Sequence, residues 1–233
     1  MELEKRHCPI QMKLVPYGGG WTDVYVNFGD GELYFIISHC CGDDFDTLMK
    51  ALYHLYPENP DYDDAEDLVD IKYGICEYTD NGYVIKEIVD DLHELEPPFT
   101  YRPIPWRAEF TWDEEGSCSK WKLERITDQS KSFMLKISIE IARGNTELHE
   151  YEVRYEDMCY AVAGACTRAL KKHGLWGYYH AIYQPDMNLR YLLFLKCVAL
   201  NNFEARELIF YDEKGQGETS DFQKELELLQ FDM

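Results

Sequence analysis

The densest run of reactive side chains is Ser38-His39-Cys40-Cys41-Gly42-Asp43-Asp44. It falls where an apolar run of strand type ends and a helical period begins. A cysteine at a helix amino terminus has a lowered pKa and can act as a nucleophile, with a nearby histidine as base. His39, Cys40 and Cys41 are therefore the catalytic candidates. The plainer alternative is that one thiol packs inward, the other is incidental, and His39 bonds within the turn. No family-specific nucleophile signature surrounds them, and the G-x-S-x-G elbow is absent.

A second group is acidic: Asp61, Asp63, Asp64, Glu66, Asp67 and Asp70. Carboxylates at this density could hold Ca²⁺, but the glycine and terminal glutamate of an EF-hand loop are missing. A solvated acidic segment is the simpler account. The more informative one makes Asp61, Asp63, Asp64, Glu66 and Asp67 part of a negative face for a cationic partner. Asp90, Asp91, Glu94 and Glu96, with Asp113, Glu114 and Glu115, would extend it if the fold brings them together.

A third group is aromatic. Trp176, Tyr178 and Tyr179 lie in Gly174-Leu-Trp-Gly-Tyr-Tyr, flanked by His173 and His180. Read as a loop between two helices, they could line a ligand pocket or form a protein-binding hot spot. A helix connection tucked under the core explains the same residues. The seven histidines show neither H-x-x-x-H nor H-E-x-x-H spacing, so no metal site and no cofactor is expected. Gly18-Gly19-Gly20 lacks the Lys and Ser/Thr of a phosphate loop and precedes a strand. It reads as a flexible entry into the first strand.

Charge narrows the partners. Asp and Glu number 44 against 23 Lys and Arg, a net charge of −21. Nucleic acid and anionic membranes would be repelled, and a basic protein attracted. Aromatics reach 15%, with 18 Tyr and 5 Trp, a surplus that suits contact surfaces as well as a core. The opening Met-Glu-Leu-Glu-Lys-Arg-His-Cys has no following apolar region, so no secretory leader is expected. The longest apolar run, Tyr191 to Leu195, is too short to span a bilayer. Eight scattered cysteines without C-x-x-C spacing suggest reduced thiols in a cytoplasmic protein.

These residues must be positioned by a mixture of strands and helices. Strands are predicted at 21–27 and 32–38 around an Asp30-Gly31 turn, and at 71–78 and 83–89 around Asn81-Gly82. Further strands are predicted near 106–112, 119–126, 133–141 and 147–154, the last with Leu148, Tyr151 and Val153 on its partner face. Helices are predicted at about 43–56, 156–173, 188–200 and 222–230. Gly174 closes the second. Ser220 caps the last, whose apolar set is Phe222, Leu226 and Leu229. Residues 21–56 and 133–173 share one order of elements: strand, tight turn, strand, helix.

The fold class expected is α+β: mostly antiparallel sheets built from hairpins, helices packed on one face, and a helix-rich C-terminal third. A single domain over 1–233 is the first reading. The alternative is two α+β halves, 1–95 and 106–233, joined by the Pro-rich stretch 96–105, which could equally be a rigid loop packed on the sheet.

In general character the chain resembles bacterial toxin-neutralising immunity proteins, which are intracellular, acidic, mixed α+β and without catalytic motifs. The resemblance covers composition and no specific residue, so no site is carried over from it. It implies an acidic interaction protein that masks a basic partner. Two other classes stand beside it: an enzyme with a composite site near His39–Asp44 or Trp176–His180, and a structural subunit of a homo-oligomer.

Overall fold

Three successive glycines make the first turn. Gly18, Gly19 and Gly20 all have positive φ (96°, 71° and 83°), a conformation that glycine adopts without steric cost. They close a hairpin between β1 (Gln11–Gly18) and β2 (Trp21–Asn27). The glycine run is thus a turn and not an entry into the first strand, because another strand precedes it. Pro16 obscures that strand in the sequence. It is tolerated because β1 is a sheet edge.

The computed structural model describes residues 7–38, 45–56, 68–79, 82–90, 100–113, 117–126, 133–182, 188–201 and 221–233. For 78–79, 82–84, 176 and 178–182 it describes the backbone alone. Two antiparallel sheets result. The first has the order β1-β2-β3, with β3 at Glu32–Ser38. The second comprises β4 (Val69–Thr79), β5 (Gly82–Val89), β6 (Thr100–Asp113), β7 (Cys118–Arg125), β8 (Met134–Arg143) and β9 (Asn145–Arg154), in the order β5-β4-β6-β7-β8-β9. With four helices among the described residues and a helix-rich C-terminal part, the class is α+β.

Alternation decides which face is buried. In the first sheet Met12, Leu14, Val24, Val26, Phe35 and Ile37 point inward. In the second, Phe110, Trp112, Trp121, Leu123, Ile137 and Ile139 do so. The two inner faces meet through aromatics. The Phe35 ring lies 5.6 Å from Trp112 and 5.3 Å from Trp121, centroid to centroid. Phe28, in the β2–β3 turn, stacks on Tyr151 of β9 at 4.1 Å.

Helix α1 (Phe45–His54) buries Phe45, Leu48, Met49 and Leu52 as its period predicts. Helix α2 (Tyr155–Ile182) lies on β1 and β2, and α3 (Leu189–Ala199) packs on α1 and α2. The hydroxyl of Tyr155 donates to the carbonyl of Leu52 at 2.6 Å, locking the start of α2 to the end of α1. Both strand–turn–strand–helix units are present. The helix of the second unit covers the sheet that begins the first.

Four local expectations are corrected. Residues 100–105 of the Pro-rich stretch are the start of β6, with Pro103 opposite Tyr73 and Pro105 opposite Ile71; residues 96–99 lie outside the described residues. Leu148 is 62% exposed, because it alternates with Tyr151 and Val153 instead of sharing their face. Gly174 does have a left-handed φ of 68°, but the chain turns helical again immediately, so Trp176, Tyr178 and Tyr179 stand in a second helical segment and not in a loop. The last helix, α4 (Phe222–Gln230), is capped by Asp221, whose carboxylate accepts from the amides of Gln223 and Lys224. Its buried side chain is Leu228, and Phe222 is 68% exposed.

Candidate interaction surface

With its even-numbered β2 residues turned inward, the first sheet must present Trp21, Asp23 and Tyr25 outward. The ladder sets Tyr25 between Lys13 and Tyr34, and Asp23 between Val15 and Ile36. Tyr17 joins this face from a β-bulge, where the β1–β2 register shifts between Pro16 and Gly18. Bulges re-aim the side chain that they carry. The outcome is an outer face of Tyr17, Trp21, Tyr25, Tyr34, Val15 and Ile36, with the Asp23 carboxylate among the rings and Glu32 at the end of β3 beyond Tyr25.

The geometry is close. The Tyr34 hydroxyl donates to Asp23 Oδ1 at 2.9 Å. The rings of Tyr25 and Tyr34 lie 5.1 Å apart, tilted by 35°. Tyr17 is 56% exposed and Tyr34 36%. Partial desolvation, then the hydrogen bond to Asp23 and its charge, push the Tyr34 phenol up to about 12. Desolvation and then the Asp23 charge raise Tyr17 and Tyr25 as well. Three phenols are thus held neutral around a carboxylate.

Cations already rest against these rings. Lys13 Nζ lies 5.4 Å from the Tyr25 centroid, and the Arg143 guanidinium carbon 5.9 Å from that of Tyr34. Arg143 also donates to the Tyr34 carbonyl at 2.7 Å, so the β8–β9 turn guards the free edge of β3. Neither cation pairs with Asp23. Among the described residues no lysine or arginine forms an ion pair with that carboxylate.

The outer face of the second sheet behaves differently. There Lys120 pairs with Glu109 at 3.2 Å, Lys122 with Glu124 at 2.6 Å, and Lys136 with Glu150 at 2.8 Å. A shallow groove of about 450 Å³ beside it is lined by Asp70, Lys72, Asp90, Trp106, Arg107 and Glu124. Its charges are also matched internally: Lys72 to Asp90 at 2.9 Å, and Arg107 to Asp70. Exposed pairs of this kind add solubility and little stability.

A larger open cleft of about 610 Å³ runs between β1, α2 and Met233, past Cys8, Lys13, Tyr160 and Arg168. Its central guanidinium is committed to backbone. Arg168 donates to the carbonyls of Met12 at 2.8 Å and Met233 at 3.1 Å.

The candidates named from sequence are distributed as follows. His39, Cys40 and Cys41 lie outside the described residues, as do Asp61, Asp63, Asp64, Glu66 and Asp67. So do Asp91, Glu94, Glu96, Glu114 and Glu115. Trp176, Tyr178 and Tyr179 are placed by backbone alone. Asp70 and Asp90 meet in the groove just described, each with a cation. The described segments hold 21 of the 44 acidic residues and 18 of the 23 basic ones, so the surplus negative charge belongs to the other stretches of the sequence.

The six described cysteines are all free thiols. Burial pushes Cys166 well up and Cys76 up, as expected for cysteines used as small core residues. Among the described residues no helix is long and apolar enough to cross a membrane.

The tyrosine face escaped the sequence reading, yet its signal was present. Tyr25 and Tyr34 are equidistant from the centre of the four-residue loop Phe28–Gly31, so that loop makes them neighbours, whereas a two-residue Asp30-Gly31 turn would have set Ile36 opposite Tyr25.

No family model matches this chain, and no curated protein or solved structure matches it either.

Proposed function

We propose that this chain is an interaction protein of the cytoplasm that masks a basic protein partner, in the manner of bacterial immunity proteins. The observation that carries the proposal is the Asp23 carboxylate, which no lysine or arginine among the described residues neutralises, set among Tyr17, Tyr25 and Tyr34 on an exposed sheet face. Tyrosine joins apolar area to a polar tip, the combination that concentrates binding energy at protein interfaces. The net charge of −21 supplies the long-range part: it steers a cationic surface toward the chain and repels polyanions.

The reading is tested by titrating the purified chain with small basic proteins, including any encoded beside it, at low and at high salt. A complex that weakens steeply with salt supports it. Lack of any complex with a basic protein at low salt overturns it. Thiol chemistry separates this reading from an enzyme. Because burial makes Cys76 and Cys166 poor nucleophiles, rapid selective labelling of Cys40 or Cys41 at neutral pH would favour a catalytic thiol instead.

A further inference from the structure

We infer that the outer face of β1–β2–β3 takes an arginine side chain from the partner, its guanidinium flat against the tyrosine rings and paired with Asp23. The inference rests on the proposed function and names the group recognised at that site.

Asp23 Oδ1 accepts one neutral hydrogen bond, from Tyr34. A phenol donor does not cancel the carboxylate charge, and no lysine or arginine among the described residues does so. The charge therefore stands unneutralised between half-desolvated rings, where an incoming cation gains more than it would in open water. The flanking rings are already shown to accept cations, by Lys13 over Tyr25 and Arg143 beside Tyr34. Each of these sits to one side of Asp23.

Arginine suits the remaining space better than lysine. Its planar guanidinium stacks on an aromatic ring while its edge presents parallel N–H donors to a carboxylate. A lysine ammonium offers a point charge and no flat face. Tyr17, carried outward on its bulge, supplies the rim that would shelter the pair from water.

The experiment uses the whole chain and a pair of labelled peptides identical except for one residue, arginine in one and lysine in the other, read by fluorescence anisotropy at low salt. The arginine peptide is expected to bind several-fold more tightly. Asp23→Asn is expected to weaken it by roughly tenfold or more, and Tyr17→Ala by a smaller factor. Glu140→Gln makes the same charge change on the second sheet and is expected to alter binding by less than about twofold.

Equal losses in Asp23→Asn and Glu140→Gln would overturn the inference, since the general field would then suffice. Equal binding of the two peptides would overturn it too. If a basic protein binds the chain in a salt-sensitive way while Asp23→Asn is silent, the proposed function stands and this site falls. If no basic protein binds at all, both fall. A doubled mass in light scattering that Asp23→Asn abolishes would make the face a contact between copies, which also overturns the inference.

Discussion

The ammonium of Lys196 is buried beneath the end of the last helix and donates to the carbonyl of Leu228 at 2.6 Å. Two more acceptors, Phe231 at 2.9 Å and Leu229 at 3.2 Å, complete its shell. Helix ends leave carbonyls without partners and carry partial negative charge. Lys196 answers both needs from α3, and a small cluster of Leu193, Cys197 and Leu228 supplies the apolar part of the contact. Lys196→Met keeps the volume of the stem and removes the donors. It is expected to cost about 1–3 kcal/mol in urea unfolding. It should also raise amide exchange selectively across 222–230, and unchanged protection there would show that α4 is held otherwise.

The same lysine gives stability a definite pH slope. Burial, and next the nearby Lys171 charge, lower its pKa from 10.5 to about 8. The unfolded chain then holds a proton that the folded chain lacks between pH 8 and 10.5. Stability from this group therefore rises with pH through that window, and the cost of burying the charge is fully present below it. A neutral amine still donates two bonds, so the cap survives. The difference in stability between wild type and Lys196→Met should grow in favour of wild type from pH 8 to pH 10. A flat difference would contradict the assignment.

Tyr34 predicts the opposite sign. Its pKa is raised to about 12, so its contribution is complete below pH 10 and is lost as pH climbs through 12. In a tyrosinate absorbance titration, Tyr34→Phe should delete a late step and leave the earlier tyrosines in place. Asp23→Asn should move that step downward.

Gly74 of β4 tests the packing of the sheet end. A Cβ built there would lie 2.7 Å from Ile104 Cδ1 and 3.2 Å from Ile85 Cγ2. Gly74→Val must displace both side chains, an overpacking cost of about 1–3 kcal/mol. Chemical denaturation reads it directly, and a neutral effect would mean that the β4–β5 arm yields without resistance.

Phe35 sits where the two sheets meet. Phe35→Ala removes a ring in contact with both Trp112 and Trp121 and should cost about 3–5 kcal/mol. Tryptophan emission should shift to the red in the variant as water approaches those indoles. An unshifted spectrum would place the sheets apart.

Most elements were legible because alternation and turn chemistry agreed. Val24 and Val26 against Asp23 and Tyr25 fix which face is buried, while the register closes over the four residues Phe28–Gly31, with Asn27 opposite Glu32. Legibility failed where one residue served a tertiary need. Pro16 made an edge strand look broken. Pro103 and Pro105 made the start of β6 look like a linker, although both pair in register with β4, opposite Tyr73 and Ile71. Leu228 reads as one leucine among several until Lys196 is placed beneath it. The tyrosine face was hidden for another reason: solvent-side residues follow no hydrophobic rule, so only the paired register reveals that three phenols and a carboxylate converge.

The first half of β6 pairs with β4 on one side, and on the other no strand among the described residues pairs with it, the β7 pairing beginning at Arg107 opposite Glu124. Pro103 and Pro105 fall in that half, two residues apart, so their missing N–H groups fall on the same side of the strand. A foreign strand approaching that open border finds too few donors to zip against. The prolines that make this stretch look unstructured in the sequence thus make it a poor template for pairing with a strand of another molecule.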